Sequence, residues 1–104
     1  MNNDRIALIE SFIKEEPGNP FNYYALALEH QKSDYAKAIQ LFQFLLKVHP
    51  DYLPTYYTAG IFLAETGNTQ QAAEVLKKGL ILAKEIHDTK ANRELEQALL
   101  NLDE

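Results

Sequence analysis

The sequence has no cysteine, which excludes disulfides, thiolate metal sites and thiol nucleophiles. It also has no basic stripe. The longest cationic cluster is Lys77-Lys78, and the 104 residues carry a formal charge of −5. Contact with phosphates takes lysine and arginine to displace counterions, so no nucleic-acid partner is expected. Long apolar runs are missing as well. Phe44-Leu45-Leu46 and Gly79-Leu80-Ile81-Leu82-Ala83 fall far short of the roughly 20 residues that span a bilayer. Met1-Asn2-Asn3-Asp4-Arg5 lacks a cationic stretch leading into an apolar one, so no signal peptide is expected. These absences point to a cytoplasmic protein with no membrane partner.

Residues with catalytic potential are few and scattered. His30, His49 and His87 have no second ligand at a repeating metal spacing, and a zinc or catalytic site needs several convergent groups. Ser11 and Ser33 are the only serines, one in a flanking helix and one at a turn. Glu15-Glu16 and Asp103-Glu104 read as solvated charges at helix ends. No glycine-rich phosphate loop follows a strand, because no strand is expected. The reading is therefore no enzyme, no metal and no cofactor.

What the chain does have is a 46 % apolar fraction, enough for a packed core, and a pattern that returns on itself. Tyr23-Tyr24 recurs as Tyr56-Tyr57, an offset of 33 that also pairs Leu26 with Ala59, Ala27 with Gly60, Leu28 with Ile61 and His30 with Leu63. Past a turn the offset becomes 34, pairing Asp34 with Asn68, Ala38 with Ala72, Phe42 with Leu76 and Leu46 with Leu80. A one-residue deletion between His30 and Asp34 accounts for the change. Backwards, the offset of 33 pairs Ile9 with Phe42, Ile13 with Leu46 and Pro17 with Pro50.

Each copy reads as two helices. In the second, Pro54 suits a first helical turn, and Tyr56, Ala59, Gly60 and Leu63 follow at the spacing of one helix face. Gly67-Asn68 marks a turn. Thr69 is expected to cap the next helix, whose face carries Ala72, Val75, Leu76, Gly79 and Leu80. The first copy runs from Pro20 to Lys32, turns at Ser33-Asp34, continues from Tyr35 to Val48 and stops at His49-Pro50-Asp51. Before it, residues 4–16 form a leading helix with Ile6, Ile9, Phe12 and Ile13 on its face, the second helix of a truncated unit. Lys84 stands where Pro17 and Pro50 stood, so the helix that contains it is expected to run past Ile86. Asp88-Thr89 then caps a last helix carrying Ala91, Leu95, Ala98, Leu99 and Leu102. The expectation is an all-α single domain over 1–104, with a leading helix (4–16), two repeats (20–50 and 54–87) and a C-terminal capping helix (89–102). Tyr23, Tyr56, Phe42, Phe12 and Phe62 are assigned to the core.

These residues resemble the tetratricopeptide repeat. The second copy supplies Tyr56, Ala59-Gly60, Leu63, Gly67-Asn68, Ala72, Leu76 and Gly79-Leu80. The first supplies Tyr23, Leu26-Ala27, Asp34-Tyr35, Ala38, Phe42 and Pro50. Departures stand at His30, Leu45 and Lys84 and in the short first turn. The resemblance implies stacked antiparallel hairpins in a right-handed superhelix, with the first helix of each pair lining the concave side. Tyr24 and Tyr57 each follow a core tyrosine and point roughly 100° away from it around the helix. The resemblance thus implies a concave stripe of Phe21, Tyr24, Leu28, Pro54, Tyr57 and Ile61. Such a stripe suits a partner's helix or extended peptide. It lacks the lysine, arginine and asparagine with which some members clamp a terminal carboxylate. The functional expectation is a protein-binding adaptor or scaffold. The alternative is a self-assembling unit, a homodimer or larger, with the same face buried.

Overall fold

In a computed structural model the described residues, 2–102, form six α-helices and no strand. The sequence reading treats 1–104 as one domain; within it the backbone groups into two compact units, Met1–Tyr52 and Leu53–Glu104.

The first unit holds α1 (Asn2–Glu15), α2 (Pro20–His30) and α3 (Tyr35–Val48). Asn19 opens α2, its side-chain Oδ1 accepting from the Phe21 amide at 3.0 Å, with Pro20 in the first turn, where its missing N–H costs nothing. The helix stops at His30, two residues before the expected Lys32, because the Ser33 and Asp34 amides both turn back onto the His30 carbonyl. Asp34 then caps α3 by accepting from the Lys37 amide at 3.2 Å. His49 closes α3 ahead of Pro50. α2 packs on both α1 and α3. Between them Ile9, Leu26, Ala27, Ala38, Phe42 and Leu45 are buried.

The second unit holds α4 (Pro54–Glu65), α5 (Thr69–Glu85) and α6 (Thr89–Leu102). α6 packs on α5 and, over a smaller area, on α4. The core comprises Tyr56, Ala59, Phe62, Leu63, Ala72, Leu76, Ala83, Leu95 and Ala98. Two glycines bring the helices together. A methyl on Gly60 would collide with the Leu76 side chain, and one on Gly79 would sit 2.5 Å from Tyr56 Cβ and 3.2 Å from Leu95 Cδ2. Glycine inside a helix costs about 1 kcal/mol relative to alanine, and here close approach outweighs it.

Both helix ends in this unit are closed in the same way. After α4, Gly67 takes a left-handed φ of 88°, its amide donates to the Ala64 carbonyl, and the Asn68 amide donates to the Leu63 carbonyl at 2.8 Å. After α5, His87 takes φ 60°, donates to the Lys84 carbonyl, and the Asp88 amide donates to the Ala83 carbonyl at 2.9 Å. The expected run of this helix past Ile86 is therefore corrected. α5 ends at Glu85 because a left-handed histidine does there what Gly67 does after α4. The expected cap at Thr69 is corrected too, since Asn68 holds the N-cap position, makes no side-chain capping bond, and leaves Thr69 as the first helical residue. Asp88 caps α6 as expected, accepting from the Ala91 amide at 2.9 Å.

Candidate functional site

The six residues of the expected stripe fall as two trios, one in each unit, each at i, i+3 and i+7 of a first helix. On α2, Phe21 is 57 % exposed, while Tyr24 and Leu28 are half-buried. Tyr24 is covered from within its own unit, its ring meeting Tyr52 edge-on with centroids 5.7 Å apart. Burial, and after it the neighbouring Tyr24 phenol, push the Tyr52 hydroxyl above the ordinary tyrosine range. On α4, Pro54 is exposed, Tyr57 is 41 % exposed and Ile61 is half-buried. Tyr57 has no such lid. The position matching Tyr52 in the repeat is Ile86, which is itself exposed.

Of the aromatics assigned to the core, Tyr56, Phe42 and Phe62 are buried, and Tyr23 is half-buried against Phe44 with its hydroxyl donating to the Pro17 carbonyl at 2.6 Å. Phe12 is a correction. It is 42 % exposed and lines a cleft of about 310 Å³ between α1 and α2, with Arg5, Leu8 and Phe21. Helical periodicity marks the apolar side of α1 but says nothing about whether a neighbour covers it. A second cleft, of about 760 Å³, lies between α5 and α6 and includes Lys77, Leu80, Arg93 and the exposed Leu100. Sequence reasoning, which took 89–102 as a capping helix, did not anticipate it.

One charged cluster was also missed. Glu29, at the end of α2, is only 4 % exposed. Its carboxylate takes Lys32 Nζ at 3.1 Å and Arg5 Nε of α1 at 3.4 Å. The hydrogen bond from Lys32, reinforced by both positive charges, holds its pKa below the usual carboxylate value against the cost of burial. Each cation is more than half exposed, and the cluster ties α1 to α2.

The histidines stand apart. His30 is buried in α2, His49 packs beside Phe44 and Tyr23, and His87 forms the turn after α5. Ser11 Oγ donates to the Leu8 carbonyl of its own helix at 2.6 Å. Among the described residues no three histidine, cysteine, aspartate or glutamate side chains converge. None of their helices is long and apolar enough to cross a membrane. Large apolar side chains left open on helix faces are surfaces suited to contact with other molecules.

Comparison with known proteins agrees with this architecture. A sequence profile described as "Tetratricopeptide repeat" matches residues 29–91, more than half of the chain. The crystal structure of a tetratricopeptide repeat domain protein from Salinibacter ruber is 36 % identical. The alignment covers 82 % of this chain and 97 % of that one, with a TM-score of 0.76. A solution NMR structure of a tetratricopeptide repeat domain protein from the same organism, also 36 % identical, covers 84 % and 89 % with a TM-score of 0.78. A Bordetella parapertussis protein, 19 % identical, covers 94 % and 86 % with a TM-score of 0.79, a likeness of fold alone. No curated protein matches the sequence.

Proposed function

The chain belongs to the tetratricopeptide repeat family, whose fold is generally a protein-interaction module and generally non-catalytic, and from that premise we propose that this protein is a non-catalytic adaptor. It takes up apolar side chains of a partner helix or peptide on the outer faces of its first helices. The observation that carries this reading is the exposure of Phe21 on α2 and Tyr57 on α4, two large aromatic groups on the faces that the repeat register singles out. Removing such surface from water contributes about 25 cal/mol per Å². A helix braced on its neighbours presents that surface already ordered, which lowers the entropy lost on binding.

Leu28, Pro54 and Ile61 extend each face. Tyr24 contributes its outer edge, since Tyr52 covers the rest. The double substitution Phe21→Ser with Tyr57→Ser tests the reading better than one that includes Tyr24. Both side chains are substantially exposed, so thermal stability should move by no more than about 0.5 kcal/mol. Binding to amphipathic peptide helices, and capture of partners from lysate, should fall away. Undiminished capture by a folded double variant would remove the faces from the proposal.

A further inference from the structure

The first repeat already has a ring seated on its first-helix tyrosine, and that ring comes from the chain itself. Resting on the reading above, we infer that the α4 face takes an aromatic side chain of the partner, seated edge-on against Tyr57 as Tyr52 is seated on Tyr24.

The repeat register sets the comparison. The offset of 33 pairs Tyr24 with Tyr57 and Leu28 with Ile61, and the offset of 34 pairs Tyr52 with Ile86. In the first unit the Tyr24 and Tyr52 rings meet at 5.7 Å with their planes 67° apart. This is the edge-to-face arrangement, in which the positive rim of one ring meets the negative face of the other. The contact leaves Tyr24 half-buried and withdraws Tyr52 from water enough to push its hydroxyl upward. In the second unit Ile86 is 54 % exposed, and among the described residues no ring meets Tyr57.

The difference has a cause in the sequence. Proline cannot continue a helix, so α3 stops at Val48 ahead of Pro50, and the Tyr52 amide turns back onto the His49 carbonyl at 3.0 Å. Lys84 stands at the matching position. α5 runs through it to Glu85, past Leu82, which matches Val48. Ile86 is still tied to that helix, its amide donating to the Leu82 carbonyl at 3.0 Å. The second repeat keeps the tyrosine and lacks the segment that covers it in the first.

Burial of area alone favours aromatic and aliphatic occupants alike. The edge-to-face preference separates them, by about three- to ten-fold in affinity. Pro54, Tyr57 and Ile61 carry no charge, so on this face no ion pair competes with the ring contact for the choice of occupant.

The test uses two probes of equal size, each with one hydroxyl: p-cresol, which is the tyrosine side chain, and its ring-hydrogenated analogue methylcyclohexanol. Each is titrated into the full chain carrying isotope-labelled tyrosine, and the ring resonances are followed by NMR. In the native chain p-cresol should shift Tyr57 and bind there about three- to ten-fold more tightly than methylcyclohexanol, while Tyr24 moves little. In Tyr52→Ala, Tyr24 should gain a p-cresol shift of the same kind. If circular dichroism shows that variant unfolded, the two-probe comparison at Tyr57 decides alone. Equal affinity of the two probes at Tyr57 overturns the inference and leaves the reading of apolar uptake intact. A shift at Tyr24 of the native chain as large as that at Tyr57 also overturns it, as does an unmoved Tyr24 in folded Tyr52→Ala. Failure of both probes to reach Tyr57 removes the inference together with the α4 half of that reading.

Discussion

The two hairpins, α2/α3 and α4/α5, share a register and solve their packing differently. In the second, Gly60 and Gly79 let Leu76 and Tyr56 reach the opposing backbone, and Tyr56 is buried. In the first, Ala27 and Leu45 occupy those positions, and Tyr23 lies half-buried with its hydroxyl bound to the Pro17 carbonyl. The side-chain volume has moved from one helix to the other. The ends of the first helices diverge further. Where the second copy buries Phe62 and Leu63, the first buries Glu29 and His30, and it neutralises the carboxylate with Arg5 and Lys32. A repeat thus fixes which positions face inward, while the chemistry that fills them can be apolar or ionic.

Swapping volumes back should be destabilising in both hairpins. Gly60→Leu places a branched side chain against the fully buried Leu76, and a loss of about 3 kcal/mol is expected in chemical denaturation. An unchanged midpoint would show that α4 and α5 tolerate separation. Gly79→Ala should cost less, about 1–2 kcal/mol, because a single methyl meets Tyr56 Cβ and better helix propensity offsets part of the strain. The matching change in the first copy, Leu45→Ala, acts through the opposite mechanism, an emptied cavity, and should also be destabilising, by about 2–5 kcal/mol.

A smaller change, and of opposite sign, is expected at the turn after α5. His87 holds a left-handed φ that costs an L-residue about 1–2 kcal/mol, and glycine escapes that cost while losing some through a more flexible unfolded chain. His87→Gly should therefore stabilise by about 0.5–1 kcal/mol, raising the melting temperature. Gly67→Ala, at the matching turn, should lower it.

The smallest effect has a pH signature. The folded-state pKa of Glu29 lies below its unfolded value, so its contribution is complete above the ordinary carboxylate range and is lost as pH falls through and below that range. Denaturation followed between about pH 7 and 3 should show a decline that Glu29→Gln reduces. If the substitution leaves the slope unaltered, the ionic solution of the first hairpin is not what the pair of cations suggests.

How far the sequence reveals this depends on whether the signal is local. α3 and α6 appear as expected because Asp34, Pro50 and Asp88 are short-range punctuation. The end of α5 was hidden because histidine is no usual marker of a left-handed turn. Glu29 looks like any solvated charge at a helix end, since Arg5 lies 24 positions away and only folding brings it near. The stripe was legible as a direction around each helix, and the difference between Tyr24 and Tyr57 was not. It arises from Tyr52, a residue outside any helix.

The bond from Arg5 to Glu29 ties the leading helix to the rest of its unit through a titratable group. Mild acid should consequently loosen the molecule from its front. Backbone amides of Ile6 to Ile13 would then exchange with deuterium earlier than those of Leu76 to Ala83, in a helix packed on both α4 and α6.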